Sequence, residues 1–424
     1  MSKCIDSLNI GAPFPNPDAS LFGCIRRNNI IYGVRWDSSN PATECERIEA
    51  HEDYNNGQGS QPGFGDDPSF MPAGSFPVQD LMRRCVVDDD LNVVYYLDPE
   101  DSEKKANGDP ANIDGTDGQV MVEVPKHYRR IYKSGNYHYY KISLSPFSNA
   151  VKINKKYFSA YEGYVDGSNK LCSISGVMPT TNKYIYEYRQ YARNRGDSRW
   201  CQQNYYSYLD VAILYLIEYA DWNIQDKIGE GATNASSTDW NNYNGYNPVV
   251  HTGRYSNQLG NQSGSVEFTL NNFVGGIATL TSHVISYRGI ENIFGHIWKF
   301  IDGLNIHNNS VTKSRAFICD DPANFLHDTQ TNYELAGLLA ETDGYWKDHI
   351  EGHLLPSSTG GSSATYIPDY YYTYYDNDPN SGWKIALWGG PLNDGVRSGL
   401  AYLSAYDGSG TRYASIGSRL CAIL

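Results

Sequence analysis

Residues 388–424 read WGGPLNDGVRSGLAYLSAYDGSGTRYASIGSRLCAIL. Gly389-Gly390, Asn393-Asp394-Gly395, Gly408-Ser409-Gly410 and Gly417 cut this tail into short apolar pieces, the punctuation of tight turns between β-strands. The pattern predicts a compact sheet with Leu400, Tyr402 and Ile416 as inward anchors. Between those anchors, Leu392, Asp394, Val396, Arg397, Ala401, Leu403, Ala405, Tyr406, Asp407, Thr411, Arg412 and Tyr413 share no single chemistry. Such a mixture belongs to a recognition face rather than a reaction centre.

Upstream, Tyr366 to Tyr375 holds five tyrosines within the six residues Tyr370 to Tyr375. A strand alternates its faces, so they cannot all be buried, and Tyr371 and Tyr374 join the expected contact residues. A turn then leads into a strand from Trp383 to Trp388. Further upstream, Val120 to Pro125 reads as a strand, and Arg130 to Tyr132 with Tyr137 to Ser143 reads as a hairpin across Ser134-Gly135-Asn136. Cys85 to Val87 and Asn92 to Leu97 form a second hairpin, and Ser265 to Leu270 and Gly276 to Ser286 are strand-like. From about Tyr206 to Asp221, Leu209, Ala212, Ile213, Leu216, Ile217 and Ala220 recur at helical spacing, predicting one amphipathic helix on the sheet. Glu218 and Asp221 are then expected on its polar side, not as catalytic carboxylates. The expected class is α+β, with long loops that carry the function.

The chain has 424 residues, with 34 Lys and Arg against 48 Asp and Glu, a net charge of −14. That balance argues against a nucleic-acid partner, because phosphate binding needs a basic face. Thirty-six tyrosines and 40 glycines beside five methionines give a polar, aromatic surface vocabulary like that of a paratope. Residues 1–120 hold 21 acids, 9 bases and four of the tyrosines, a net of −12, so the remaining 304 residues are nearly neutral. Two regions are expected: an acidic, β-rich module over 1–118 for attachment or oligomerisation, and a binding domain over 119–424. The N-terminus shows no basic stretch leading into an apolar one, so no classical export signal is expected, and no apolar run approaches bilayer length.

Catalytic signatures are scarce. The chain carries no GxSxG, HExxH, Walker or GxGxxG pattern. His349 and His353 are four apart, but Gly352 is a poor helix residue, so loop histidines are expected rather than a metal site. Asp66-Asp67 and Asp320-Asp321 each precede proline and read as extended or turn backbone, with calcium at one of them the lesser alternative. The eight cysteines are widely spaced without a CxxC pair and read as buried thiols. No cofactor, metal or catalytic residue is expected.

Trp388-Gly389-Gly390, Leu392-Asn393-Asp394-Gly395, Gly399-Leu400 and Ile416-Gly417-Ser418-Arg419-Leu420 resemble the C-terminus of the variable proteins of diversity-generating retroelements and related phage tail proteins. Gly289 to Phe300 is similar to a segment of the formylglycine-generating-enzyme subclass of C-type lectin folds. The resemblance covers about residues 119–424. It implies a C-type lectin-like domain whose variable face lies at about 388–420, on a trimeric phage tail tip or fibre adhesin. Expected partners are a host cell-surface protein or glycan and other virion tail proteins, without membrane insertion. Leu392 replaces the Trp of that pattern, and no calcium-lectin motif is present. A bacterial surface adhesin would use the same face. An oxidase of the formylglycine-generating kind would need a closely spaced reactive cysteine pair, which Cys319 and Cys421 do not supply.

Overall fold

The computed structural model of the chain describes residues 29–52, 76–235, 248–272, 278–308, 314–373 and 382–424. Three helices, α1 (Ile185–Arg193), α2 (Tyr205–Tyr219) and α3 (Ile224–Lys227), stand among five β-sheets in these residues. The architecture is mostly β, so the α+β expectation is corrected. Strands also appear where the sequence reading assigns no element, at Trp298–His307, Arg315–Ile318, Glu334–Leu338, Gly344–His349 and Pro356–Thr359.

The largest sheet has nine strands. Its central strand, Trp298–His307, is antiparallel to Trp383–Trp388, which leads through Leu403–Ala405 to Ile367–Thr373. A second, six-stranded sheet contains the C-terminal strand Leu420–Ile423, held between Trp200–Gln202 and Lys156–Ser159. The same sheet continues through Gln119–Val124 to Arg83–Val87 and Val93–Tyr96. A third, five-stranded sheet joins Tyr32–Asp37 to Tyr137–Ser143. Strands from before residue 118 are therefore paired directly with strands after it, and the break in composition is not a break in the sheets.

Helix α2 begins at Asn204, whose side chain accepts the Ser207 N–H at 3.0 Å, and ends at Ala220 in the left-handed region at φ 53°. It packs against Tyr32–Asp37, Tyr137–Ser143 and Trp298–His307. Every residue from Ser207 to Tyr219 is buried, so the amphipathic expectation gives way to a helix enclosed on all sides. Its carboxylates are internal: Asp210 meets Arg129 and Lys156, and Glu218 holds Arg288 at 2.6 Å. Asp221, also buried, pairs with Lys227 at 3.2 Å. A buried charge needs such partners, because desolvation is otherwise prohibitive.

Candidate ligand-binding face

Strand Ile367–Thr373 alternates as a half-covered strand must, with Ile367, Asp369, Tyr371 and Thr373 inward and Tyr370 and Tyr372 outward. Tyr371 is fully buried, so its expected contact role is corrected: the half-buried phenols, Tyr370 and Tyr372, have the other parity. Tyr374 lies outside the described residues.

The segment after Trp388 turns on two glycines, Gly389 and Gly390, at φ 88° and 83°. A Cβ on Gly390 would fall 2.5 Å from the Tyr402 ring, so only glycine fits. The turn is then tied inward. Trp388 Nε1 donates to the Leu400 carbonyl at 2.5 Å, and the Ala401 N–H donates to Asp369 at 2.6 Å. Leu392, Ala401, Leu403 and Ala405 are buried, and these four contact assignments are corrected. Leu392 fills a small cluster with Phe268 and Val284, and the others belong to the main core, Leu403 and Ala405 on a strand of the large sheet itself. Short apolar residues in a glycine-rich tail are packing elements here, as apolar side chains usually are.

Eight of the predicted residues do reach the surface. Val396 is 61% exposed, Tyr406 50% and Tyr413 43%, and Arg397 and Arg412 are exposed beside them. Asp394, Asp407 and Thr411 are half-buried. Arg397 donates to the Tyr372 hydroxyl at 2.6 Å and lies 5.0 Å over the Tyr370 ring. Asp394 accepts the Tyr402 hydroxyl at 2.6 Å; Thr411 donates to Asp407 at 3.3 Å. Contacts continue from Tyr372 to Tyr402 to Trp298, whose N–H reaches the Ser415 carbonyl at 2.8 Å. From there the Asn182 N–H donates to the Tyr413 carbonyl, and Arg412 lies 4.7 Å over Tyr184.

Tyr184 stacks on Tyr186 at 5.1 Å, and Tyr186 faces His327 at 5.7 Å. Tyr186 and His327 line a groove of about 560 Å³ between α1 and the loop Phe325 to His327, lined also by Arg189, Gln190 and Tyr191. The sequence reading missed Tyr184, Tyr186, Tyr370, Tyr372 and His327. For the strand pair the signal was available, because apolar Ile367 fixes the inward parity. The α1 residues gave none, since their place beside the tail is purely tertiary.

Beneath the face lies a buried ionic frame. Arg419, in the closing Ile416 to Leu420 stretch, donates to the carbonyls of Ser159, Ala160, Glu291 and Asn292. Glu162 meets His296 Nδ1 at 2.5 Å and Lys299 at 3.0 Å. His296 Nε2 accepts the N–H groups of Val249 and Val250, so Nδ1 carries the proton directed at Glu162. Burial pushes the Glu162 carboxyl up, but His296 and Lys299 outweigh it and hold the group at about 2. Burial brings Lys299 down to about 8.

Burial disfavours the thiolate at both cysteines that the oxidase alternative would need. Burial lifts Cys421 to about 12 and raises Cys319. Cys421 does not stand alone, as it faces Cys201 directly across the antiparallel pair. His349 and His353 do not converge. His349 sits between the Tyr140 hydroxyl and the Ile350 carbonyl, and no group of three or more metal-ligating side chains occurs among the described residues. Nor is any helix among them long and apolar enough to cross a membrane.

No protein-family model matches the chain, and no curated protein matches it in sequence. Among solved structures it is similar to PvdO from Pseudomonas aeruginosa, at 10% identity and a TM-score of 0.30, over 74% of this chain and 100% of that one. A likeness at that level is too slight to place the chain in a family.

Proposed function

We propose that the protein is a host-recognition adhesin of a phage tail tip or fibre, which grips a cell-surface receptor without transforming it. The observation that carries this reading is the exposure of Tyr406, Tyr413, Arg397 and Arg412 on a tail whose turns are bonded into a buried frame. Phenols give large contact area at low entropic cost, and guanidinium supplies forked hydrogen bonds. The resemblance of Trp388 to Gly390 and Ile416 to Leu420 to retroelement-diversified tails supports the same reading. So does the burial of the anchors, because a diversified face needs a frame that tolerates change at its tips. Assembly in several copies, a trimer on the resemblance, would raise avidity by roughly 10²–10⁴.

The test is adsorption to host cells. Replacing Arg397, Tyr406, Arg412 and Tyr413 together by alanine is expected to abolish adsorption while the melting temperature holds, because all four side chains project outward. Unchanged adsorption by the folded variant would refute the assignment.

A further inference from the structure

Arginines elsewhere in the molecule are mostly spoken for. Arg35, Arg129, Arg189, Arg195, Arg199 and Arg288 are ion-paired with carboxylates. Arg47, Arg84 and Arg419 are buried and donate to carbonyls and hydroxyls. On the candidate face the arrangement is reversed. Arg397 lies on Tyr370, and Arg412 lies on Tyr184. Among the described residues neither guanidinium is ion-paired with a carboxylate.

The acids of the face are turned to neutral donors instead. Asp394 accepts from the Tyr402 hydroxyl, Glu187 from the Tyr184 N–H and the Tyr191 hydroxyl, and Asp328 from Ser409. His327 adds another donor. Its Nδ1 lies 3.4 Å from an Arg189 nitrogen, which can only donate, so the ring hydrogen is on Nε2. A guanidinium held against a phenol loses little freedom when it binds; Arg397 spends one N–H on the Tyr372 hydroxyl and keeps its other donors, and forked guanidinium donors match the two oxygens of a carboxylate or phosphate.

We infer that the two arginine-on-tyrosine clamps at Arg397 and Arg412 bind the anionic groups of a cell-surface glycopolymer, carboxylates of acidic sugars or bridging phosphates. The inference rests on the adhesin reading and names the ligand class for the same face. Two clamps suit a polymer that repeats its charge, and the exposed rings of Tyr186, Tyr406 and Tyr413 offer apolar faces for sugar rings.

The experiment measures binding of the full-length protein to polygalacturonate and, in a separate arm, to poly(glycerol phosphate), with neutral dextran as control. The arms distinguish the carboxylate source from the phosphate source. Expected is binding to at least one polyanion and none to dextran, weakened by raising salt from 50 to 300 mM and at least tenfold by the double change R397Q/R412Q. R397K/R412K is expected to recover little, because an ammonium lacks the fork. R130Q is the control: Arg130 also lies on a tyrosine, 4.2 Å over Tyr132, but in the five-stranded sheet, and its loss is expected to change nothing.

Absence of binding to both polyanions, or binding indifferent to R397Q/R412Q, overturns the inference. Host adsorption separates the two claims. If it survives R397Q/R412Q but is lost with Y406A/Y413A, the anion clamps fail and the adhesin stands. If neither pair matters, both fail.

Discussion

Asp369 couples the outward face to the interior through one carboxylate. It is buried, accepts the Ala401 N–H, and its second oxygen lies where a side chain on Gly399 would be. Burial raises its pKa to about 7, against about 3.9 for an unfolded aspartate. A folded pKa raised above the unfolded one means the folded state holds the proton longer. Its stabilisation is therefore complete below about pH 4 and is lost as pH rises through about 7. Asp369→Asn is expected to flatten the pH profile of the melting temperature between pH 4 and 8 and to gain about 1–3 kcal/mol at pH 8. Parallel profiles for the two proteins would contradict this. Glu162 has the opposite sign, since a carboxyl held at about 2 contributes stability that is present above about 4.5 and lost as pH falls through 2. Glu162→Gln is expected to cost about 3–5 kcal/mol in denaturant melts at neutral pH, by leaving Lys299 and His296 in the core without their anion.

Among elements, the Gly389-Gly390 turn bears the tail. Gly390→Ala meets both a left-handed φ and the Tyr402 ring, so a loss of about 2–4 kcal/mol is expected, with faster hydrogen exchange over 391–402. An unchanged melt would show that Tyr402 can give way. Elements with strong local signals were legible. The hairpin of His127–Ser134 with Tyr137–Ser143 and the strand Trp383–Trp388 occupy the positions that the sequence indicates. Helix α2 was legible in period but not in environment, because Asp210 and Glu218 look like a solvated face until Arg129, Lys156 and Arg288 arrive from distant strands. Strand Trp298–His307 was hidden for the same reason. It is buried almost throughout, and Lys299, Asp302 and Asn305 interrupt its apolar pattern while being satisfied by Glu162, Arg189 and the carbonyls of Leu326 and Thr329. Of the face, the exposed tips could be read from glycine spacing. The split between tips and packing residues depends on parity and on partners far away in sequence.

Over the whole molecule, the described residues of the acidic first third are part of the sheets that support the tail. Arg83–Val87 covers one edge of Gln119–Val124, whose other edge pairs with Lys156–Ser159 and through it with Leu420–Ile423. A fragment of residues 119–424 is therefore expected to be insoluble or to melt without cooperativity, since an uncovered strand edge invites aggregation. A soluble fragment with a sharp transition would show that the two regions are separable after all. On the adhesin reading, one exposed surface meets the receptor. The most direct measurement of that contact is hydroxyl-radical footprinting of the intact protein with and without host cell envelopes. Protection of Tyr406 and Tyr413 together with Tyr370 and Tyr186 is expected, with unchanged labelling of Tyr132 and Tyr139 on the five-stranded sheet. Protection of Tyr132 and Tyr139 with the tail tyrosines still fully labelled would contradict it.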